Sequence, residues 1–256
     1  MFEKIKAWIP KHGLAIVTGF LLGNVVLQAI KFKAQAQQNA AVQSMFQQQS
    51  EELQALKEAA AIARHEADML KGQVVVIDSA VNADKKRKAR IVKVKESILA
   101  ELKQIGPKAP VLEPWQVSEI ATSIVDNCDE YDIPVPLLLG LIRQESAFNP
   151  NAVSLAGAQG LTQVMPTTAQ DIKEWMGRNY YDPFKITHNI KFGAYYLNRM
   201  LRKFHYDEQK ALWAYNAGPE HVYAYTAGVK KLWPETKNYE EAIAAYQKEF
   251  EALGIN

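Results

Sequence analysis

The sequence has almost no cysteine, with Cys128 alone among 256 residues. A disulfide framework is therefore excluded, and so are zinc sites built from several cysteines. Residues 34–105 contain no proline and a single glycine, Gly72, so this stretch lacks the residues that usually interrupt a helix. The five histidines show no metal-ligand spacing, and we expect neither a metal nor any other cofactor.

Charged and aromatic residues are distributed unevenly along the chain. Residues 1–114 carry 17 Lys and Arg against 11 Asp and Glu, whereas residues 115–256 carry 13 against 17. All 11 tyrosines and four of the five tryptophans follow residue 114. A proline-containing stretch separates the two kinds of sequence. This stretch has the composition of a stiff linker. We therefore predict four parts: an amino-terminal segment (1–33), a helical region (34–105), a linker (106–114) and a domain (115–256).

Residues 13–30 form an uncharged, largely apolar run with lysines on both sides. A membrane-spanning helix needs roughly 20 apolar residues, so the run is just long enough for a single span. The flanking lysines favour a cytoplasmic amino terminus. The alternatives are a cleaved signal peptide, with a small-residue site at 34–36, and a buried or interfacial helix.

Apolar residues recur at alternating steps of four and three through most of the helical region. This pattern is typical of a long helix that packs against another helix, so we expect self-association or a partner helix through residues 42–105. A hairpin that breaks at 81–84 is the alternative to one rod. The positions in phase are Phe46, Gln49, Leu53, Leu56, Ala60, Ala63, Ala67, Leu70, Val74, Ile77 and Val81, and then Ile91, Ile98, Leu102 and Ile105.

Residues 85–95 hold seven basic residues and no acidic one. Such a run either meets an anionic lipid or polymer or forms a solvated helix face. No feature of it indicates specific binding of nucleic acid.

The domain predicted at 115–256 has helical periodicity throughout and no convincing pair of strands, so we expect an all-α fold. One of its helices is apolar from Leu138 to Ile142 and ends near Glu145. A carboxyl group beside such neighbours is partly desolvated, which raises its pKa and suits a general acid that works near neutral pH. By position alone, however, a glutamate at a helix end is more often solvated than catalytic.

The stretch that follows Glu145 has the composition of a binding loop. Gly157 and Gly160 allow the backbone to approach a ligand closely. Ser154 and Gln163 offer hydrogen bonds of the kind that a sugar needs. Small and polar residues alternate here without the periodicity of a packed helix, which favours a site over a structural element.

These residues resemble the soluble-lytic-transglycosylase-like family, a branch of the lysozyme-like superfamily. The resemblance covers most of residues 130–240 and implies a lysozyme-like helical domain, here preceded by a membrane span and a coiled-coil-like helix. The matching motifs occur in the family's order: Glu-Ser at 145–146, Gly-Leu-x-Gln-x-Met-Pro at 160–166, Asp-Pro at 182–183, Asn-Ile at 189–190, Gly193, Tyr-Leu at 196–197, Ala-Tyr-Asn-Ala-Gly at 214–218, and Glu-Thr-x-x-Tyr at 235–239.

The resemblance implies that Glu145 is the single catalytic acid and base. It would cleave the β-1,4 bond between N-acetylmuramic acid and N-acetylglucosamine in peptidoglycan strands and leave a 1,6-anhydromuramyl end. Tyr215 would hydrogen-bond near Glu145 and Asn216 would hold the surrounding loop. The residues implied in substrate binding are Ser154, Gln163, Met165, Tyr215, Asn216, Glu235 and Tyr239.

Two other functions compete with this one. A hydrolytic lysozyme with the same fold would leave reducing ends instead of anhydro ends. A structural or docking protein of a virion or secretion complex, with a degenerate domain, is the alternative of another class. Two settings fit the enzyme: a single-pass membrane protein with its catalytic domain on the periplasmic or cell-wall side, or a component of a phage virion.

Overall fold

The computed structural model describes the backbone of residues 2–255 and the side chains of residues 18–255. Within that range every regular element is helical, and two isolated antiparallel β-bridges lie in the loop between the third and fourth helices. The all-α expectation is therefore confirmed. The helices are α1 (Phe2–Ile105), α2 (Pro114–Tyr131), α3 (Val135–Ser146), α4 (Pro166–Trp175), α5 (Ile186–Lys203), α6 (Glu208–Ala217), α7 (Pro219–Thr226) and α8 (Pro234–Ala252), with a short 3-10 turn at Gly106–Lys108.

The chain divides into two compact units, Met1–Asp78 and Ser79–Asn256, and α1 contributes to both. In the first unit every side chain that the structure describes is exposed. In the second unit α1 continues without a break through residues 81–84, so the alternative of a hairpin at that point is wrong. Asp84 forms a 2.7 Å ion pair with Lys88 one turn further along the helix, and so supports the helix instead of ending it.

The expected membrane span at 13–30 finds no support. The side chains of residues 13–17 lie outside the described residues, and among those described no helix is long and apolar enough to cross a membrane.

The carboxyl-terminal part of α1 is built into the core of the second unit. Val94 and Ile98 are 1% and 0% exposed, and Ile91 and Leu102 pack against the same core. Ile91, Ile98 and Leu102 therefore find their partners within their own chain, which leaves these three positions unavailable for the self-association expected there. The compact unit thus begins well before the Pro-containing stretch at 106–114.

Three ion pairs join this part of α1 to the helices around it. Two come from the basic run, where Arg87 pairs with Asp126 and Arg90 with Asp129, both on α2. The third joins Glu101, whose side chain is 6% exposed, to Arg143 on α3 at 2.8 Å. The Arg143 guanidinium also lies over the ring of Tyr246, 4.9 Å from its centroid. Two arginines of the basic run are thus committed to internal contacts.

Helix α3 lies at the centre of the second unit. All residues from Val135 to Ile142 are buried, as befits a helix that is apolar on every side. Gly140 permits α8 to come close, since a Cβ atom there would lie 3.1 Å from the carbonyl oxygen of Ile243. Polar side chains occur in α3 only in its last turn. The packing of the buried residues before it therefore fixes the position of that turn.

Substitution of Ile98 tests whether the end of α1 stabilises the domain. We expect Ile98→Ala to lower the free energy of unfolding by about 2–5 kcal/mol, because it leaves a cavity in a packed core. Leu99→Ala is the matched control, since Leu99 is 49% exposed and its loss should cost less than about 1 kcal/mol. Urea unfolding of the full chain, followed by tryptophan fluorescence, measures both. Equal losses would show that α1 contributes no core residues.

Candidate active site

Glu145 lies in the last turn of α3, just before the chain changes direction. The helix ends at Ser146, and the next two residues, Ala147 and Phe148, both have left-handed backbone angles, with φ of 50° and 64°. Such angles are uncommon for residues other than glycine. Here the fully buried Phe148 side chain anchors the turn in the core. The chain then enters the loop 147–165, which contains three of the predicted binding residues, Ser154, Gln163 and Met165.

The Glu145 carboxyl is partly buried and has a tyrosine as its hydrogen-bond partner. The Tyr239 hydroxyl donates a 2.6 Å hydrogen bond to Oε1 of Glu145. Burial raises the pKa of Glu145 to about 7, and the hydrogen bond from Tyr239 opposes that rise. The carboxyl group is therefore close to half-protonated at neutral pH, which suits a group that both gives and takes a proton.

Tyr215 lies near Glu145 but bonds to another group. Its hydroxyl donates a 2.9 Å hydrogen bond to the carbonyl oxygen of Thr162. Burial, and next the nearby charge of Glu145, raise the pKa of Tyr215 well above its ordinary value, so the phenol stays protonated as a donor. The direct partner of the acid is thus Tyr239, and Tyr215 connects α6 to the loop beside it.

A buried polar cluster around Thr162 and Asn189 holds the loop in place. The Asn189 side chain accepts a 2.8 Å bond from the backbone N–H of Thr162 and donates to the carbonyl oxygen of Gln159. The close approach requires glycine on both sides. A Cβ at Gly193 would lie 2.4 Å from Thr162, and one at Gly160 would lie 2.3 Å from Asn189. The motif residues at 160, 189 and 193 therefore form a structural joint.

The predicted loop residues occupy different positions in the loop 147–165. Ser154 is exposed, and its hydroxyl accepts a 3.0 Å bond from the backbone N–H of Ala158. Gln163 is half-buried and donates to the carbonyl oxygens of Ala152 and Gly160. These hydrogen bonds stay within the loop and shape it.

Met165, Asn216 and Glu235 occupy three separate helix ends. Met165 precedes α4 and is half-buried, whereas Asn216 and Glu235 are exposed. The Asn216 side-chain oxygen accepts a 2.9 Å bond from the hydroxyl of Thr236, which links the end of α6 to the first turn of α8. Glu235 lies in that same turn, one helical turn before Tyr239. Asn216 thus joins α6 to α8, the helix that also carries Tyr239, the hydrogen-bond partner of Glu145.

Burial raises the pKa of Glu145 and the Tyr239 hydrogen bond opposes the rise, and no other carboxyl group of the described residues contributes to the shift. Among the described residues, no cluster of three or more His, Cys, Asp or Glu side chains could hold a metal ion. The arrangement can therefore give a proton to a leaving oxygen and later accept one, with the same group in both roles.

Glu145, a desolvated glutamic acid at the end of a buried helix, lies beside a polar loop shaped by glycines, and this arrangement is that of an acid–base site. Residues 123–238 match the family model described as the transglycosylase SLT domain. The resemblance inferred from the motifs is thus confirmed for this part of the chain.

Related proteins share this part of the chain. The soluble lytic murein transglycosylase of Escherichia coli K12 is 32% identical over 130 residues, which cover 45% of this chain and 20% of the relative. The transglycosylase of Enterobacteria phage PRD1 is 38% identical over 89 residues, 35% of this chain and 31% of the relative. The structure of the 70 kDa soluble lytic transglycosylase of Escherichia coli covers 55% of this chain and 28% of its own, with 25% identity and a TM-score of 0.47. The matched part thus spans less than a third of each relative.

Removal of the Glu145 charge should change stability in a pH-dependent way. The folded-state pKa is raised to about 7 from an ordinary value of 4.5, so ionisation in the folded state costs free energy as the pH rises through this window. Glu145→Gln, which never ionises, should match the parent near pH 4 and exceed its stability by about 1–3 kcal/mol at pH 8.

Chemical unfolding of both proteins between pH 4 and pH 8 measures this difference. Glu249→Gln on the exposed side of α8 is the control, because its carboxylate stays hydrated when the chain folds. If the free energies of unfolding of Glu145→Gln and the parent differed by the same amount at every pH, the Glu145 carboxyl would not be desolvated by folding.

Proposed function

We propose that this chain is a peptidoglycan lytic transglycosylase. It would cleave the β-1,4 bond between N-acetylmuramic acid and N-acetylglucosamine and leave a 1,6-anhydromuramyl end. The observation that carries the proposal is the single Glu145 carboxyl, which is desolvated to a pKa of about 7 and held by Tyr239 within an SLT domain. The names of the bacterial and phage relatives support the same reaction.

The first step requires a proton donor that is still protonated near neutral pH. With a pKa of about 7, Glu145 can protonate the glycosidic oxygen as the bond to C1 breaks. The positive charge that develops on the sugar is stabilised by the carboxylate that remains, and by the substrate's own 2-acetamido group, as in other substrate-assisted glycosidases.

The second step uses the same residue as a base. The Glu145 carboxylate takes the proton of the muramic 6-hydroxyl while the oxygen of that hydroxyl bonds to C1. The new bond closes the 1,6-anhydro ring, and the proton restores the acid. No water is consumed, so the reaction needs no second carboxylate to activate a water molecule. Tyr239 keeps the carboxyl in one orientation through both steps, because its hydroxyl can donate to the neutral and the ionised form.

The loop 147–165 and the first turn of α8 would bind the glycan strand. Ser154 and Glu235 are exposed, and Gln163 and Met165 are half-buried, so polar and apolar groups are both accessible in the loop and in the first turn of α8. Sugars present hydroxyl groups and apolar ring faces, which such a mixed surface can match. The reaction is common to both settings considered above, because relatives from bacteria and from a phage bear the name transglycosylase.

Digestion of purified peptidoglycan by the full chain tests the reaction. We expect soluble muropeptides that are one water lighter than reducing muropeptides, identified by mass spectrometry. Glu145→Gln should lower the rate by at least about 100-fold, since it removes the only acid and base. Glu249→Gln should retain the parent rate. Reducing ends would identify a hydrolytic lysozyme instead, and the absence of soluble products would favour a structural role.

A pair of tyrosine variants tests the part played by the Tyr239 hydrogen bond. Tyr239→Phe removes the bond that lowers the pKa of Glu145, so the basic limb of the pH profile of kcat/KM should move to higher pH. Tyr215→Phe is the matched control, because its hydroxyl bonds to Thr162 instead, and the limb should stay in place. Steady-state rates from pH 5 to pH 9 measure both. Equal movement in the two variants would show that Tyr239 has no special role.

A further inference from the structure

The part of α1 from Phe46 to Ile77 exposes a continuous apolar face. Phe46 is 69% exposed, Leu56 is 68% and Leu70 is 60%. Every other described side chain of the first unit is exposed as well. A helix gains most of its stability in water from packing of an apolar face against a partner. In contrast with the α1 residues after position 90, this face has no core of its own chain to pack against among the described residues.

The apolar face has the geometry of a two-helix seam. Its residues repeat every 3.5 positions, the period that keeps one face of a helix against a partner in a left-handed coiled coil. Nine of the ten seam residues are apolar, and the alanines in the middle allow two helices to approach closely. The seam consists of Phe46, Leu53, Ala60, Ala67 and Val74 at the a positions and Gln49, Leu56, Ala63, Leu70 and Ile77 at the d positions.

The charges beside the seam are segregated by side. The e positions carry Lys57, Arg64 and Lys71, whereas the g positions carry Glu52 and Glu66. In a parallel in-register pair, each g residue faces the e residue five positions later in the partner. Glu52 would then face Lys57 of a second copy, and Glu66 would face Lys71 of that copy, both with opposite charges.

Other arrangements lack this match. In an antiparallel pair e positions face e positions, which would bring the basic side of one helix against the basic side of the other. Among the described residues, Lys71 forms an ion pair with Asp68 at 3.6 Å. Both side chains are more than 70% exposed, and such a pair contributes little, so Lys71 stays available for a partner.

We propose that α1 pairs through residues 46–77 with the same segment of a second copy of this chain, parallel and in register. The proposal is independent of the enzymatic function, because it rests on residues outside the SLT domain. It makes the protein a dimer whose interface consists of an apolar seam flanked by ion pairs between Glu and Lys.

Cysteine cross-linking of the full chain tests the register and the direction. Cys128 is 2% exposed and gives little background. Ala63→Cys places a thiol at a d position, where a parallel in-register pair brings it next to its own copy. Ala61→Cys, on the same turn but facing outwards, is the matched control. We expect mild oxidation to convert Ala63→Cys, but not Ala61→Cys, to a covalent dimer.

A charge exchange tests whether the ion pairs select the partner. The double variant Lys57→Glu and Lys71→Glu should weaken dimerisation about tenfold in sedimentation equilibrium, because like charges then face each other. Adding Glu52→Lys and Glu66→Lys should restore the parent affinity. Circular dichroism confirms that α1 stays helical in each variant.

Three outcomes would overturn the proposal. The first is a monomeric mass at every concentration up to about 100 μM. The second is a dimer that Ala63→Cys fails to cross-link, which would mean another register, direction or surface. The third is a quadruple variant, with the charges at 52, 57, 66 and 71 all exchanged, that does not recover the dimer affinity of the parent. Because peptidoglycan digestion is measured separately, failure here leaves the proposed reaction untouched.

Discussion

The complete burial of α3 is the constraint on which the rest of the domain depends. Leu137, Leu138, Leu141 and Ile142 are all 0% exposed, so this helix can move in no direction without a loss of packing. Its last turn is therefore held rigidly, and Glu145 emerges there into surroundings that are largely apolar. The elevated pKa of the acid thus follows from the same packing that stabilises the fold.

Local sequence predicted the acid but not its partner. An apolar helix that ends in Glu145 already indicates desolvation of the carboxyl group. The hydroxyl that binds this carboxyl comes from Tyr239 on α8, which lies far away in sequence, and single-sequence periodicity carries no information about such pairs. The joint between Thr162 and Asn189 is hidden for the same reason. Gly160 and Gly193 were sequence signals for it, but a glycine does not identify the group that approaches it.

The heptad pattern of α1 illustrates a different limit of sequence reasoning. Periodicity shows that a helix has an apolar face, but it does not identify the surface that covers that face. Ile98 and Leu102 continue the phase that starts at Phe46, yet they pack into the core of their own chain. The end of the apolar helix near Glu145 was predicted correctly, since α3 ends at Ser146.

The Glu101–Arg143 pair has a consequence for how this protein is divided for laboratory work. Arg143 lies two residues before Glu145, and its buried partner comes from α1, outside residues 123–238. A recombinant fragment that begins at the Pro-containing stretch would keep Arg143 but lose its counter-charge. It would also expose to water the apolar core surface that Val94 and Ile98 cover in the full chain. Such a piece would be prone to aggregate, so a soluble fragment of this protein should start near Ser79.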